Sequence, residues 1–104
     1  MLRRLHLRRE LIVVRLKGDL DASSVPRTNR ILRAALGRGP KVLEVDLSLV
    51  TRLTAEGTPP LFLAAHGARG QGTSIAVTHA DEQARAVMQR LGLERYLSDQ
   101  DPGR

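Results

Sequence analysis

The chain is predicted to adopt an α/β fold, a mainly parallel sheet packed with helices, and three observations carry that expectation. Apolar spacing switches repeatedly along the chain between strict alternation and a helical period. Short apolar runs that read as strands alternate with segments that read as helices, the order that gives parallel strands. The 104 residues, 41% of them hydrophobic, make one small domain, long enough for a two- or three-layer core and too short for two domains.

Taken in order, Leu2 to Leu7 alternates leucine with Arg and His, and Leu11 to Leu16 is a β-branched apolar run. These two read as a strand pair with a turn near Arg9-Glu10. Gly18 to Asp21 is expected to leave the sheet. Ser23 or Ser24 then caps a helix with Pro26 in its first turn. Val25, Thr28, Leu32, Ala35 and Leu36 share one face of it until Gly37, Gly39 and Pro40 stop it. Val42 to Leu47 is the next strand. A second helix is expected over about 60–68, broken by Gly70 and Gly72, with Ser74 to Thr78 as a short strand after it. Asp81 starts a last helix carrying Ala84, Val87, Met88 and Leu91 at i, i+3, i+4 and i+7, and Gly92 is placed as its left-handed C-terminal residue. Residues 1–98 form the domain, with 1–9 as a basic N-terminal strand and 99–104 as a frayed tail.

Composition narrows the function. There is no cysteine, which removes disulfides, thiolate metal sites and cysteine nucleophiles and fits a reducing compartment. Runs such as Leu11–Val14 and Leu61–Ala65 are too short to span a bilayer and no signal-peptide pattern is present, so no membrane insertion and a cytoplasmic location are expected. The net charge is +6, of which Arg3, Arg4, Arg8 and Arg9 supply four; the remainder has thirteen cations against eleven acids. A basic start can meet nucleic acid or acidic lipid headgroups by counterion release, or simply protect an edge strand by charge. Nucleic acid is the weaker reading, because Phe62 and Tyr96 are the only aromatic residues and base stacking needs more.

Catalysis finds little support. His6, His66 and His79 fall on different elements without metal-ligand spacing, and no nucleophile elbow, phosphate loop or acid pair at a recognisable spacing occurs. Gly67 to Gly72 is glycine-rich but follows a helix and precedes a strand, the reverse of a nucleotide-binding turn. No enzyme activity, metal or cofactor is expected.

The most informative stretch runs from Val45 to Pro60, an apolar strand entering a small-residue turn and then a helix. At such a turn the first helical amides point outward unpaired, and a carboxylate such as Glu56 can be held by them. Pro59 and Pro60 constrain the helix start. At the fifth and sixth positions of a helix each would cost about 3 kcal/mol or more, and proline biases the preceding residue out of the helical region. Thr58 or Pro59 is therefore the expected N-cap with Pro60 in the first turn. Glu56 is left in a loop ahead of the helix.

Gly18-Asp19-Leu20-Asp21, Val45-Asp46-Leu47-Ser48 and Leu53-Thr54-Ala55-Glu56-Gly57 follow the order and spacing of the STAS domain. The chain resembles that family, the module of anti-sigma-factor antagonists and sulfate-transporter tails, over roughly residues 10 to 98. The resemblance implies a mixed, mainly parallel sheet of about four to five strands with an antiparallel first strand, packed with about three to four helices. In the antagonists the turn reads Asp-Ser-Ser-Gly and its second serine is phosphorylated by an anti-sigma factor that is also a kinase. Aligned on Gly57, that serine falls on Glu56, the serine before it on Ala55 and the aspartate on Thr54.

The resemblance therefore implies a non-catalytic protein-binding module acting in transcription regulation by partner switching, its partner an anti-sigma factor or related kinase-type regulator. Glu56 stands where the family carries a phosphate, supplying one charge and two oxygens in place of a group of roughly −1.5 to −2 with three acceptors. The other outcome is that the switch is lost and the surface serves a constitutive contact. The expected partner surface is Arg52, Thr54, Ala55, Glu56, Gly57, Thr58 and Pro59, with Asp21, Ser23 and Ser24 beside it. Thr54 and Thr58 are the hydroxyls nearest the missing serine. The alternatives are an accessory subunit of a transporter or signalling scaffold and, more distantly, a basic nucleic-acid-binding domain. A homodimer is left open.

Overall fold

Three strands and three helices alternate along the chain in a computed structural model that describes residues 10–98. Strand β1 (Leu11–Leu20) leads through a 3₁₀ turn (Ala22–Ser24) into α1 (Val25–Leu36). Strand β2 (Val42–Leu53) leads through a second 3₁₀ turn (Ala55–Gly57) into α2 (Pro59–Gln71). Strand β3 (Ser74–Thr78) is followed by α3 (Glu82–Arg90) and a last 3₁₀ turn (Glu94–Tyr96). The sheet order is β1-β2-β3 and both pairings are parallel. That is the arrangement a helical crossover after each strand produces.

This corrects the expected sheet in number and in direction. Among the described residues there are three strands and three α-helices, all strands parallel, in place of about four to five strands with an antiparallel first one. The residues expected as turns prolong the strands instead. β1 continues through Gly18 to Leu20 and β2 through Ser48 to Leu53 because the pairing absorbs two irregularities, between Arg15 and Lys17 and between Gly18 and Asp19. At each, β2 carries one extra residue against β1, and a bulge keeps the ladder going where alternation fails. At the far edge Leu97 makes only a single parallel bridge to Val77 and no strand. The N-terminal strand read from Leu2 to Leu7 and the frayed tail at 99–104 lie outside the described residues.

Alternation along the strands splits the sheet into two faces. Ile12, Val14 and Leu16 of β1, Leu43, Val45 and Leu47 of β2 and Val77 of β3 turn to the core. There they meet Leu32, Ala35 and Leu36 of α1, Leu61, Ala64 and Ala68 of α2, and Ala84, Val87 and Met88 of α3. Alanine dominates the buried side of α2, and a Cβ added at Gly67 would touch the Leu36 side chain at 3.6 Å, so α1 and α2 pack closely. The opposite face is barer, with Leu11 and Val13 exposed and Arg15, Glu44 and Asp46 between them and β3.

Candidate partner-binding site

The two strands that run longest deliver two 3₁₀ turns side by side. Asp21, at the end of β1, closes its turn as a capping box. Its Oδ1 accepts from the Ser23 amide at 3.0 Å, the Ser24 amide at 3.3 Å and the Ser23 hydroxyl at 2.7 Å. The Ser24 hydroxyl accepts from the Asp21 amide at 3.0 Å and donates to the Asp21 carbonyl at 3.0 Å. The Ser23 hydroxyl, opposed by a smaller desolvation and joined by these amides, holds the Asp21 carboxyl below the usual carboxylate range. The cap expected from Ser23 or Ser24 on α1 is thus made by Asp21 on the preceding turn. Ser24 does occupy the N-cap position of α1, with no side-chain bond to the helix.

The second turn is fastened to the first through backbone. The Thr54 amide and hydroxyl both reach the Leu20 carbonyl, at 3.0 and 3.3 Å. Gly57 lies so close that a Cβ there would sit 2.1 Å from the Leu20 carbonyl oxygen and 2.7 Å from the Asp21 nitrogen. Only glycine permits that approach. The Gly57 amide bonds the Thr54 carbonyl, and both the amide and the hydroxyl of Thr58 bond the Ala55 carbonyl, the hydroxyl at 2.7 Å. Thr58 is 2% exposed, so its hydroxyl faces the interior of the turn and a kinase reaches it only if the turn opens. The Thr54 hydroxyl is half-buried.

Thr58 is the N-cap of α2, with Pro59 and Pro60 at its first two positions as expected, although Thr58 itself keeps helical dihedrals, φ −84° and ψ −18°, ahead of the proline. The expectation that helix amides hold the Glu56 carboxylate is corrected. The two prolines have no N–H, and the next amides, of Leu61 and Phe62, both donate to the Thr58 carbonyl. The α2 terminus therefore has no free donor facing Glu56, and among the described residues that carboxylate has no hydrogen-bond or ion-pair partner. It is exposed, as are Arg52, Ala55 and Pro59. One turn further along α2, Phe62 is 44% and Leu63 59% exposed. A rigid turn thus carries an unpaired carboxylate beside exposed apolar side chains, the mixture found in protein contact surfaces.

Two features escaped local sequence patterns. Gln83 of α3 reaches the end of β2, accepting from the Leu53 amide at 3.0 Å and donating to its carbonyl at 2.6 Å, like one more strand residue. Glu44, Asp46 and His79 bring side-chain ligand atoms within 4.8 Å of one another, the set among the described residues closest to a metal-binding arrangement. Three of its four carboxylate oxygens are already engaged. Asp46 accepts from Arg15 Nε at 3.0 Å and from the Ser48 amide at 2.8 Å, and Glu44 accepts from the Thr78 hydroxyl at 2.8 Å. Burial pushes the Asp46 carboxyl up, but the Ser48 amide and hydroxyl, the Arg15 guanidinium and the charge of His79 together bring it below the usual range. His66 is exposed on α2.

A family model described as "Mlab, STAS domain" matches residues 4–99, and the chain belongs to the STAS domain family. Three solved structures share its fold. The anti-sigma factor antagonist SpoIIAA in its unphosphorylated form is 19% identical at a TM-score of 0.73, covering 86% of this chain and 79% of that one. A sulfate transporter family protein from Wolinella succinogenes is 16% identical at 0.71, covering 84% and 75%. The SulP transporter STAS domain from Vibrio cholerae is 19% identical at 0.68, covering 91% and 73%. A comparison with curated proteins gave no match. Among the described residues no helix is long and apolar enough to cross a membrane.

Proposed function

We infer that this chain is a non-catalytic partner-binding module of the anti-sigma-factor-antagonist kind, acting in the cytoplasm on a kinase-type anti-sigma factor, with Glu56 as a permanent charge where relatives carry a phosphorylatable serine. The observation that carries this reading is the state of the Glu56 carboxylate, exposed on a turn fixed to the end of β1 through Gly57 and Thr54 and without a hydrogen-bond or ion-pair partner among the described residues. A carboxylate serving only as a cap would hold a backbone amide, as Asp21 and Asp81 do. The partner surface is the exposed Arg52, Ala55, Glu56 and Pro59 and the half-buried Thr54, with Asp21 and Ser23 beside it, extended by Phe62 and Leu63, while the buried Ser24, Gly57 and Thr58 support it from within. Binding to a panel of anti-sigma kinases, compared between wild type and Glu56→Ser, tests it. Failure of both proteins to bind any of them overturns the reading.

A second reading, an accessory subunit of a membrane transporter, draws support from the two transporter-derived STAS structures with the same fold. Co-purification of the chain with transporter subunits, insensitive to Glu56→Ser, would favour it over the first.

A further inference from the structure

Between Ala22 and Leu43 the sequence holds five cations, Arg27, Arg30, Arg33, Arg38 and Lys41, and no acid. The fold gathers most of them on one surface. Helical spacing of three, four, seven and eleven places Arg27, Arg30, Ile31, Ala34 and Arg38 on one stripe of α1 and its C-terminal extension, all exposed. Arg15 and Lys17 belong to the adjoining edge strand β1, and alternation turns their side chains to the sheet face opposite α1. Together with Arg27 they line a groove of about 410 Å³ between β1 and α1, whose apolar lining is Leu16, Leu20 and Ile31.

This charge is largely uncompensated. Arg15 pairs with Asp46 at 3.0 Å and Lys41 approaches Glu10 at 4.0 Å. Among the described residues Lys17, Arg27, Arg30, Arg33 and Arg38 have no ion-pair partner. Cations clustered this way repel one another and attract an anionic surface. The apolar component selects among such surfaces. Ile31, 38% exposed, sits amid the guanidinium groups over the apolar groove. A nucleic-acid backbone offers nothing apolar to it, and the two aromatic side chains that could stack on bases belong to α2 and the last 3₁₀ turn. An anionic phospholipid surface offers both phosphates and an apolar boundary.

We propose that the basic stripe of α1 docks the domain on an anionic phospholipid bilayer, with Ile31 at the headgroup boundary. The contact is peripheral, since no described helix can cross a membrane. It is independent of the reading of Glu56, which takes no part in it.

The test is sedimentation of the full chain with vesicles of phosphatidylcholine alone or containing about one third phosphatidylglycerol, so that the N-terminal arginines are present in every arm. Binding is expected only to the anionic vesicles and is expected to fall with salt. Each cation near such a surface is worth about fivefold in partitioning, so Arg27→Gln/Arg30→Gln should weaken it roughly 25-fold. The replaced side chains are exposed and without an ion-pair partner among the described residues, and an unchanged melting temperature checks that the fold survives. Arg90→Gln/Arg95→Gln removes the same net charge from α3 and the turn after it, and should change partitioning by less than about threefold. Equal loss in the two double variants, equal binding to neutral vesicles, or binding to a DNA or RNA duplex in place of vesicles would overturn the proposal.

Discussion

Gly57→Ala tests whether the two turns are one unit. The added methyl would lie 2.1 Å from the Leu20 oxygen, 2.3 Å from its carbon and 2.7 Å from the Asp21 nitrogen. All three are backbone atoms, which cannot swing aside, so the turns must separate by more than an ångström. Overpacking of this kind costs typically 1–3 kcal/mol. Separation also strains the two hydrogen bonds from Thr54 to the Leu20 carbonyl, each worth about 1 kcal/mol. A loss of about 3 kcal/mol follows, or about 12–24 °C in melting temperature for a domain of this size. Thermal unfolding followed by circular dichroism reads it directly. Gly70→Ala is the control, since a Cβ there meets nothing within 4 Å, and should be neutral or stabilising by up to about 1 kcal/mol. If Gly57→Ala lost less than about 1 kcal/mol, below the overpacking range, the close approach of the turns would be refuted.

Two further outcomes are expected. Gln83→Ala removes both bonds to Leu53 and should destabilise by about 1–2 kcal/mol, with the Leu53 amide losing its protection against hydrogen exchange. The Asp46 carboxyl lies below its ordinary value of 3.8 when folded, so the unfolded chain binds the extra proton. The stability it contributes is therefore complete above the ordinary value and lost as pH falls through the folded one. Acid unfolding should show that loss in wild type and lack it in Asp46→Asn.

Much of the helical layout was legible because it rests on local signals. The proline pair at 59 and 60 located the start of α2, since a missing N–H and a fixed φ act on their immediate neighbours. Asp81 and Gly92 marked the ends of the α3 region for the same reason: Asp81 accepts from the Ala84 amide and Gly92 has φ +79°. The sheet was misread where long-range pairing overrides local preference. Gly18 and Ser48 are turn residues by composition, yet both lie inside strands because the bulges keep β1 and β2 in register. At the site, the positions of Asp21 and Glu56 followed from the family resemblance. What neighbours them did not, because the Leu20–Gly57 contact and the shared Leu20 carbonyl join residues more than thirty apart in sequence. Glu44, Asp46 and His79 also meet only through the sheet.

The most direct measurement is the dissociation constant of an anti-sigma kinase for wild type and for Glu56→Ser, followed by intact mass after incubation with ATP. If Glu56 imitates the charged state, the serine variant should bind at least about tenfold more tightly, about 1.4 kcal/mol, and should gain one phosphate while wild type gains none. Equal affinities together with an unmodified serine would contradict the claim that this side chain holds the position of the family's switch.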